Sequence, residues 1–237
     1  MPDGITVDLS KAAGIANWPR HLRNVKEVRR MLGILGYQRS FIKGYAQLAK
    51  PLTELTKKGV PFQWEARQAE ALENLIQKVT TAPVLGCPNP EQQYFLEVDA
   101  SAYALGAVLF QYDQQHRRRD VGYFSKALTL PERNYNIWDH KFLAIVTALR
   151  HWQHLLIGTV EPIVILTDHA NLQYYRHPQK INRRVARYIN FLEDFNYKLK
   201  HIPEIRNHAD ALSRRPDYDD RTGDNEHVVA LPDEIFT

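Results

Sequence analysis

Cysteines, long apolar runs and a leader-like start are scarce or missing in this sequence. Cys87 is the single cysteine of 237 residues, which excludes an internal disulfide framework and favours a reducing compartment. No apolar stretch is long enough to span a bilayer, and the first residues lack a basic segment followed by an apolar run. The histidines show no spacing typical of a zinc site. We therefore expect an intracellular protein, cytoplasmic or nuclear, without a membrane partner.

The composition is that of a globular protein, but its charge is unevenly spread. Hydrophobic residues make up 44% and charged residues 24% of the chain, which suffices for a sizeable core. Residues 1–60 contain 11 Lys and Arg against 4 Asp and Glu, whereas residues 216–237 contain 1 against 7. A basic body gives weak support for a polyanionic partner, because a basic face is more often a solvated surface.

Sequence patterns divide the chain into three regions. Residues 1–83 have helical periodicity, residues 84–215 alternate strands and helices, and residues 216–237 form an acidic, linker-like tail. The boundary between the first two regions is a cluster of prolines, namely Pro83, Pro88 and Pro90.

The first region is predicted to contain three helices. The first begins after Asn24, which is a suitable N-cap with an acid three residues later. A second spans 40–57 with Pro51 as a kink or boundary, and a third spans 65–80.

Strand patterns begin at Tyr94 in the second region. Three strands are expected as a meander, with the basic run of residues 117–119 at the turn before the third strand. A long helix, a continuous apolar strand, two further helices and a last strand follow. The predicted elements are strands 94–99, 104–111, 121–125, 162–167 and 195–201 and helices 137–156, 169–176 and 181–193.

Three acids occupy comparable places in this pattern. Asp99 and Asp168 end two apolar strands, and Asp210 starts a short predicted helix. Sites in open α/β sheets form at the carboxyl ends of strands, so Asp99 and Asp168 would face each other if their strands are neighbours. Clustered carboxylates suit Mg²⁺ or Mn²⁺ as ligands. Two such ions bound side by side can promote cleavage of a phosphodiester. The alternative is three unrelated caps and turn residues, and spacing alone leaves both interpretations equal.

Longer stretches carry a family resemblance that covers nearly the whole chain. FLEVDASAYALGAVLFQ, NYNIWDHKFLAIVTALRHW, ILTDHANLQYY and HIPEIRNHADALSRRPD resemble the RNase H domain of gypsy-type LTR retrotransposon polyproteins. The stretch from VKEVRRMLGILGY to GVPFQW resembles the thumb and connection region of reverse transcriptase, and DNEHVVALPDEIF resembles the spacer before integrase. The resemblance implies an α/β fold, an RNase H-like mixed five-stranded sheet with flanking helices, preceded by a small helical thumb/connection-like region.

The resemblance also implies a metal site. In this family four carboxylates hold two divalent ions, Mg²⁺ or Mn²⁺, and the RNA strand of an RNA/DNA hybrid is cut. Asp99, Asp168 and Asp210 match three of these carboxylates, as catalytic residues and metal ligands. The fourth is a Glu in the first helix, and Lys141 stands at its position. Asp139 lies on roughly the opposite side of that helix, so we do not expect it to substitute.

Lys141 separates two functional hypotheses. The first is a ribonuclease H-type endonuclease with impaired hydrolysis, since a protonated lysine cannot coordinate a metal and its ammonium can take the place of the cation. The second is a non-catalytic module that binds nucleic acid or protein without a cofactor, or a structural subunit in a homodimer or with a reverse transcriptase partner. No polymerase active site is expected, because the resemblance begins after the palm.

Basic and aromatic residues between Asp168 and Asp210 are candidates for nucleic-acid contacts. Arg183, Arg184 and Arg187 lie on one predicted helix, and Tyr174 precedes it. Such residues contact phosphates and bases in nucleic-acid-binding proteins. The alternative is that the arginines are solvated and the tyrosine packs in the core.

Overall fold

The computed structural model describes residues 4–168 and 183–202. Its first part contains α1 (Leu9–Ala16), α2 (Val25–Tyr37), a short 3₁₀ helix (Arg39–Phe41), α3 (Tyr45–Leu48), α4 (Lys50–Glu54) and α5 (Ala66–Thr80). Asn24 caps α2, because its side-chain oxygen accepts a hydrogen bond from the backbone N–H of Glu27 at 3.0 Å. The Glu27 carboxylate accepts one in turn from the N–H of Arg23 at 2.8 Å.

The helical segment predicted over 40–57, with Pro51 as a kink or boundary, is split into short pieces. Gly44 has a φ of 72°, a left-handed conformation that suits glycine, and α3 begins directly after it. Pro51 lies in the first turn of α4, where its missing N–H leaves no hydrogen bond unmade. The apolar faces of these helices, including Leu35, Leu52 and Leu72, meet in one buried cluster. We refer to residues 5–80 as the helical region.

The second part is built on a five-stranded mixed sheet, as the sequence predicts. The strands are β1 (Phe95–Ala100), β2 (Ala104–Tyr112), β3 (Arg118–Ala127), β4 (Ile163–Thr167) and β5 (Tyr197–His201). Their spatial order is β3-β2-β1-β4-β5, with β1, β2 and β3 antiparallel, β4 parallel to β1 and β5 parallel to β4. The basic run was expected in the turn before the third strand, but Arg118 and Arg119 lie within that strand.

Helices cover one face of this sheet. The region contains α6 (Leu130–Arg133), α7 (Ile137–His151), α8 (Gln153–Leu156) and α9 (Arg183–Leu192). Phe142 and Ile145 of α7 are buried together with Leu96 and Val98 of β1 in the main core. The single helix predicted over 137–156 is interrupted at Trp152, which caps α7 and precedes α8. None of the described helices combines the length and apolarity needed to cross a bilayer.

The opposite face of the sheet meets the helical region. Phe41 packs against a small buried cluster of Leu85, Val108 and Tyr123. The backbone N–H of Ala46 donates a hydrogen bond to Oγ of Ser125 in β3 at 2.6 Å. The two regions therefore contact each other through both apolar packing and hydrogen bonding.

Candidate active site

The carboxyl ends of two adjacent parallel strands bring Asp99 and Asp168 together. Glu97 of β1 is opposite Leu166 of β4 in the parallel register, so Asp99 near the end of β1 and Asp168 just after β4 lie at the same edge. The antiparallel side of β1 pairs Asp99 with Gly106. This is the edge at which open α/β sheets form their sites.

Lys141 reaches both carboxylates from α7. The side chain of Asn136 caps that helix by accepting a hydrogen bond from the N–H of Asp139 at 2.7 Å, which places Lys141 in the second turn. Nζ of Lys141 donates to Oδ2 of Asp168 at 2.8 Å and to Oδ1 of Asp99. The exposed fractions of the side chains are 9% for Lys141, 1% for Asp99 and 10% for Asp168. The site is therefore a buried ion triad.

The two carboxylates keep the side chain of Lys141 protonated. Burial lowers the pKa of Lys141, but the charges of Asp99 and Asp168 outweigh this effect, so the pKa lies above the usual lysine value. Lys141 is consequently an ammonium ion at neutral pH. His201, at the end of β5, donates a hydrogen bond from Nε2 to the backbone oxygen of Asp168 at 3.0 Å. This contact fixes the chain at the point where Asp168 leaves the sheet.

Part of the chain matches a known protein family. A family model described as the RNase H-like domain found in reverse transcriptase matches residues 64–165. This part of the chain is an RNase H-like domain of the kind found in reverse transcriptase.

Relatives of the chain are retrotransposon polyproteins. The Tf2-3 and Tf2-4 transposon polyproteins of Schizosaccharomyces pombe (strain 972 / ATCC 24843) are 42% identical to it over 195 residues. The match covers 81% of this chain but only 15% of each polyprotein, so the chain corresponds to a small part of these relatives.

Solved structures confirm the RNase H-like fold that the sequence predicts. A foamy viral protease-reverse transcriptase, solved once with double-stranded DNA and once with an RNA/DNA hybrid, superposes with a TM-score of 0.69 and 19% identity. The superposition covers 84% of this chain and 35% or 27% of the viral chains. The likeness concerns the fold alone.

Enzymes with an RNase H-like fold generally use divalent metal ions, but the described residues do not fit such an ion. Oδ1 of Asp168 is buried and receives no hydrogen bond from the described residues, which would suit a cation. However, the ammonium of Lys141 already contacts both carboxylates. Within residues 4–168 and 183–202, no group of three His, Cys, Asp or Glu side chains could hold a metal. In the described part of the chain, the cation that contacts these two carboxylates is therefore the side-chain ammonium of Lys141.

Several predicted site residues lie outside this triad. Asp210, Tyr174 and the helix predicted over 169–176 are outside the described residues. Arg183 and Arg184 are in the first turn of α9, but their side chains are also outside the description. Arg187 is exposed on the same helix. The helix itself packs on α7, with ring centroids 5.8 Å apart for Phe142 and Tyr188 and with Arg150 4.8 Å from the Phe191 ring.

A second charged group on the opposite face of the sheet was missed by the sequence analysis. Glu97 is 1% exposed and accepts a hydrogen bond from Arg118 Nη1 at 2.8 Å. Arg118 also donates to Asp120 at 2.7 Å, and the hydroxyl of Tyr123 donates to Asp120 at 2.8 Å. Lys43 of the helical region lies nearby, where burial lowers its pKa and the charge of Glu97 raises it in part. An acid within an apolar strand was the available signal.

Proposed function

We propose that this chain is a nucleic-acid-binding RNase H-like protein in which hydrolysis of the RNA strand of RNA/DNA hybrids is impaired. The observation that carries the proposal is the contact of one lysine ammonium with both buried carboxylates, Asp99 and Asp168. Relatives and structural neighbours support the nucleic-acid part, since they include retrotransposon polyproteins and a reverse transcriptase in complex with an RNA/DNA hybrid.

The impairment follows from charge and coordination. Two adjacent carboxylates attract a cation strongly, and the Lys141 ammonium satisfies this attraction from within the chain. An incoming divalent ion would have to displace this ammonium and would then find a positive group beside it rather than a carboxylate ligand. Asp210 completes the acid set in our interpretation, but it cannot replace the ligand that a Glu at position 141 would provide.

The test is cleavage of a labelled RNA/DNA hybrid in Mg²⁺ or Mn²⁺ by the unmodified chain and by Lys141→Glu. We expect little or no cleavage by the unmodified chain and an increase of at least roughly tenfold in the variant. Lys141→Met is the matched control, because it removes the ammonium without adding a carboxylate, and we expect it to remain inactive. Adding Asp99→Asn to Lys141→Glu should abolish the gained activity.

Binding of the same uncleaved hybrid is measured in parallel by fluorescence anisotropy. Binding without cleavage is the expected result for the unmodified chain. Metal-dependent cleavage by that chain, lost on Asp99→Asn, would refute the impairment. Absence of binding to hybrid, DNA duplex and single strands would instead favour the alternative of a structural subunit that contacts protein, which size measurements with and without a reverse transcriptase would then examine.

A further inference from the structure

Three segments meet around the ring of Tyr103, in the turn between β1 and β2. Nζ of Lys50, from α4 of the helical region, lies 4.2 Å from the centroid of this ring. The guanidinium carbon of Arg133, from α6, lies 5.8 Å from it. Two cations within about 6 Å of one aromatic ring both interact with its electrons. The group combines residues from the helical region and from the RNase H-like sheet.

Hydrogen bonds order the backbone of the turn that carries this ring. The N–H of Leu128 donates to the backbone oxygen of Tyr103 at 2.9 Å. The side chain of Ser101 accepts hydrogen bonds from the N–H groups of Tyr103 and Ala104 at 3.3 and 3.2 Å. The backbone at Tyr103 is therefore held by hydrogen bonds on both its N–H and its carbonyl side.

The helix that carries Arg133 is held equally firmly. Thr129 and Glu132 form a capping box at the start of α6. The Glu132 carboxylate also accepts a hydrogen bond from Nζ of Lys126 at 2.7 Å. The acid adjacent to Arg133 is thus engaged with other donors.

Lys50 and Arg133 bring two positive charges to the ring of Tyr103. Nε of Arg133 is buried and has no hydrogen-bond acceptor in the described part of the chain. Burial lowers the pKa of Lys50, Glu54 opposes this effect, and the charge of Arg133 lowers the pKa further. Glu54 lies on the helix of Lys50, and its carboxylate is 3.9 Å from Arg67. A bound anion would relieve the repulsion between the two cations.

We propose that Lys50, Tyr103 and Arg133 form a binding site for a phosphate group of the nucleic-acid backbone. A guanidinium offers paired N–H donors that match phosphate oxygens, and an ammonium adds a compact point charge. Tyr103 follows Asp99 in the turn after β1, and Arg133 lies on α6, which precedes α7, the helix of Lys141. The inference rests on the nucleic-acid binding proposed above.

The first experiment uses inorganic phosphate as the probe and does not depend on hybrid binding. Isotope-labelled protein is titrated with phosphate while the Nε–H resonance of Arg133 is followed by NMR and assigned with Arg133→Gln. We expect a saturable shift of this resonance, weakened in Lys50→Gln. The absence of a saturable shift would overturn the proposal.

The second experiment measures hybrid affinity as a function of salt. Lys50→Gln and Arg133→Gln are compared with Lys58→Gln, an exposed lysine of the helical region that gives the same change of charge. We expect each of the first two to weaken binding roughly tenfold and to reduce the salt slope by about one, with little change in the control. Circular dichroism verifies that all variants are folded.

The two experiments separate this proposal from the proposed function. If the unmodified chain binds hybrid and the site variants match the Lys58→Gln control, the phosphate site is refuted while nucleic-acid binding stands. If the chain binds no hybrid, the proposed function fails, and the phosphate titration alone decides whether Lys50, Tyr103 and Arg133 form an anion site.

Discussion

Replacing Lys141 by methionine would leave two buried carboxylates without the cation that now joins them. Methionine retains most of the length of the lysine stem, so the change removes charge with little loss of volume. Asp99 is 1% exposed and Asp168 is 10% exposed, so water can solvate the remaining charges only poorly. Lys141→Met therefore isolates the electrostatic contribution of this lysine.

The expected loss is large because the triad is buried. Removing one partner of a buried ion pair typically costs about 3–5 kcal/mol of unfolding free energy. For a chain of this size each kcal/mol shifts the melting temperature by roughly 2–4 °C, so we expect a decrease of about 6–20 °C. An exposed lysine such as Lys58 provides the scale, since Lys58→Met should change the free energy by no more than about 0.5 kcal/mol.

Urea denaturation at pH 7 measures these losses of unfolding free energy. A double-mutant cycle then isolates the part that comes from the contact between Lys141 and Asp99. Asp99→Asn alone leaves Lys141 with one carboxylate fewer, and the double variant Lys141→Met with Asp99→Asn removes both charges. We expect the double variant to lose less stability than the sum of the two single losses, with a coupling of about 1–3 kcal/mol.

Two results would refute this reasoning. A loss below about 1 kcal/mol for Lys141→Met would mean that the triad is solvated like a surface pair. Additive losses in the cycle would mean that the contact between Lys141 and Asp99 contributes no energy of its own. As a further readout, Mn²⁺ should raise the melting temperature of Lys141→Glu and leave that of the unmodified chain unchanged.

Two further predictions concern other buried charges. Arg118→Met should lower the unfolding free energy by about 2–3 kcal/mol, because Glu97 stays buried after its Arg118 contact is removed. The Arg117 side chain is 63% exposed, so Arg117→Met should change the unfolding free energy little. Equal effects of the two substitutions in urea denaturation would contradict this reasoning. Burial beside Phe124, with a smaller effect of nearby positive charge, lowers the pKa of His151 below 6.5. The contribution of neutral His151 to the unfolding free energy is therefore present above that pH and is lost as pH falls through the folded pKa. His151→Phe should reduce the loss of stability between pH 7 and 5, and unchanged pH dependence would refute this.

The sheet and two members of its acidic site could be predicted from local patterns. Apolar strands ending in Asp99 and Asp168 indicate side chains at one sheet edge once those strands are neighbours, and the parallel register of β1 and β4 makes them so. The position of Lys141 in the first helix came from motif resemblance. That one ammonium contacts both acids depends on how α7 lies against β1, which no spacing within a single element specifies.

Other features depend on partners distant in sequence and could not be predicted. Glu97 appears as an isolated acid in an apolar strand, and its partner Arg118 lies 21 residues away on another strand. The basic run of residues 117–119 was placed at a turn because local sequence does not reveal that Arg118 pairs with Glu97. Similarly, the helical periodicity over 40–57 hides the left-handed conformation of Gly44 that separates the short helices.

The contact between the helical region and the sheet has a consequence for truncation. A fragment starting at residue 84 would retain all five strands but would lose Phe41, which packs against Val108 and Tyr123, and the N–H donor of Ala46. The newly exposed apolar surface would favour aggregation of such a fragment. Fragments intended for expression, crystallisation or in-cell complementation should therefore begin upstream of the helices that cover this face.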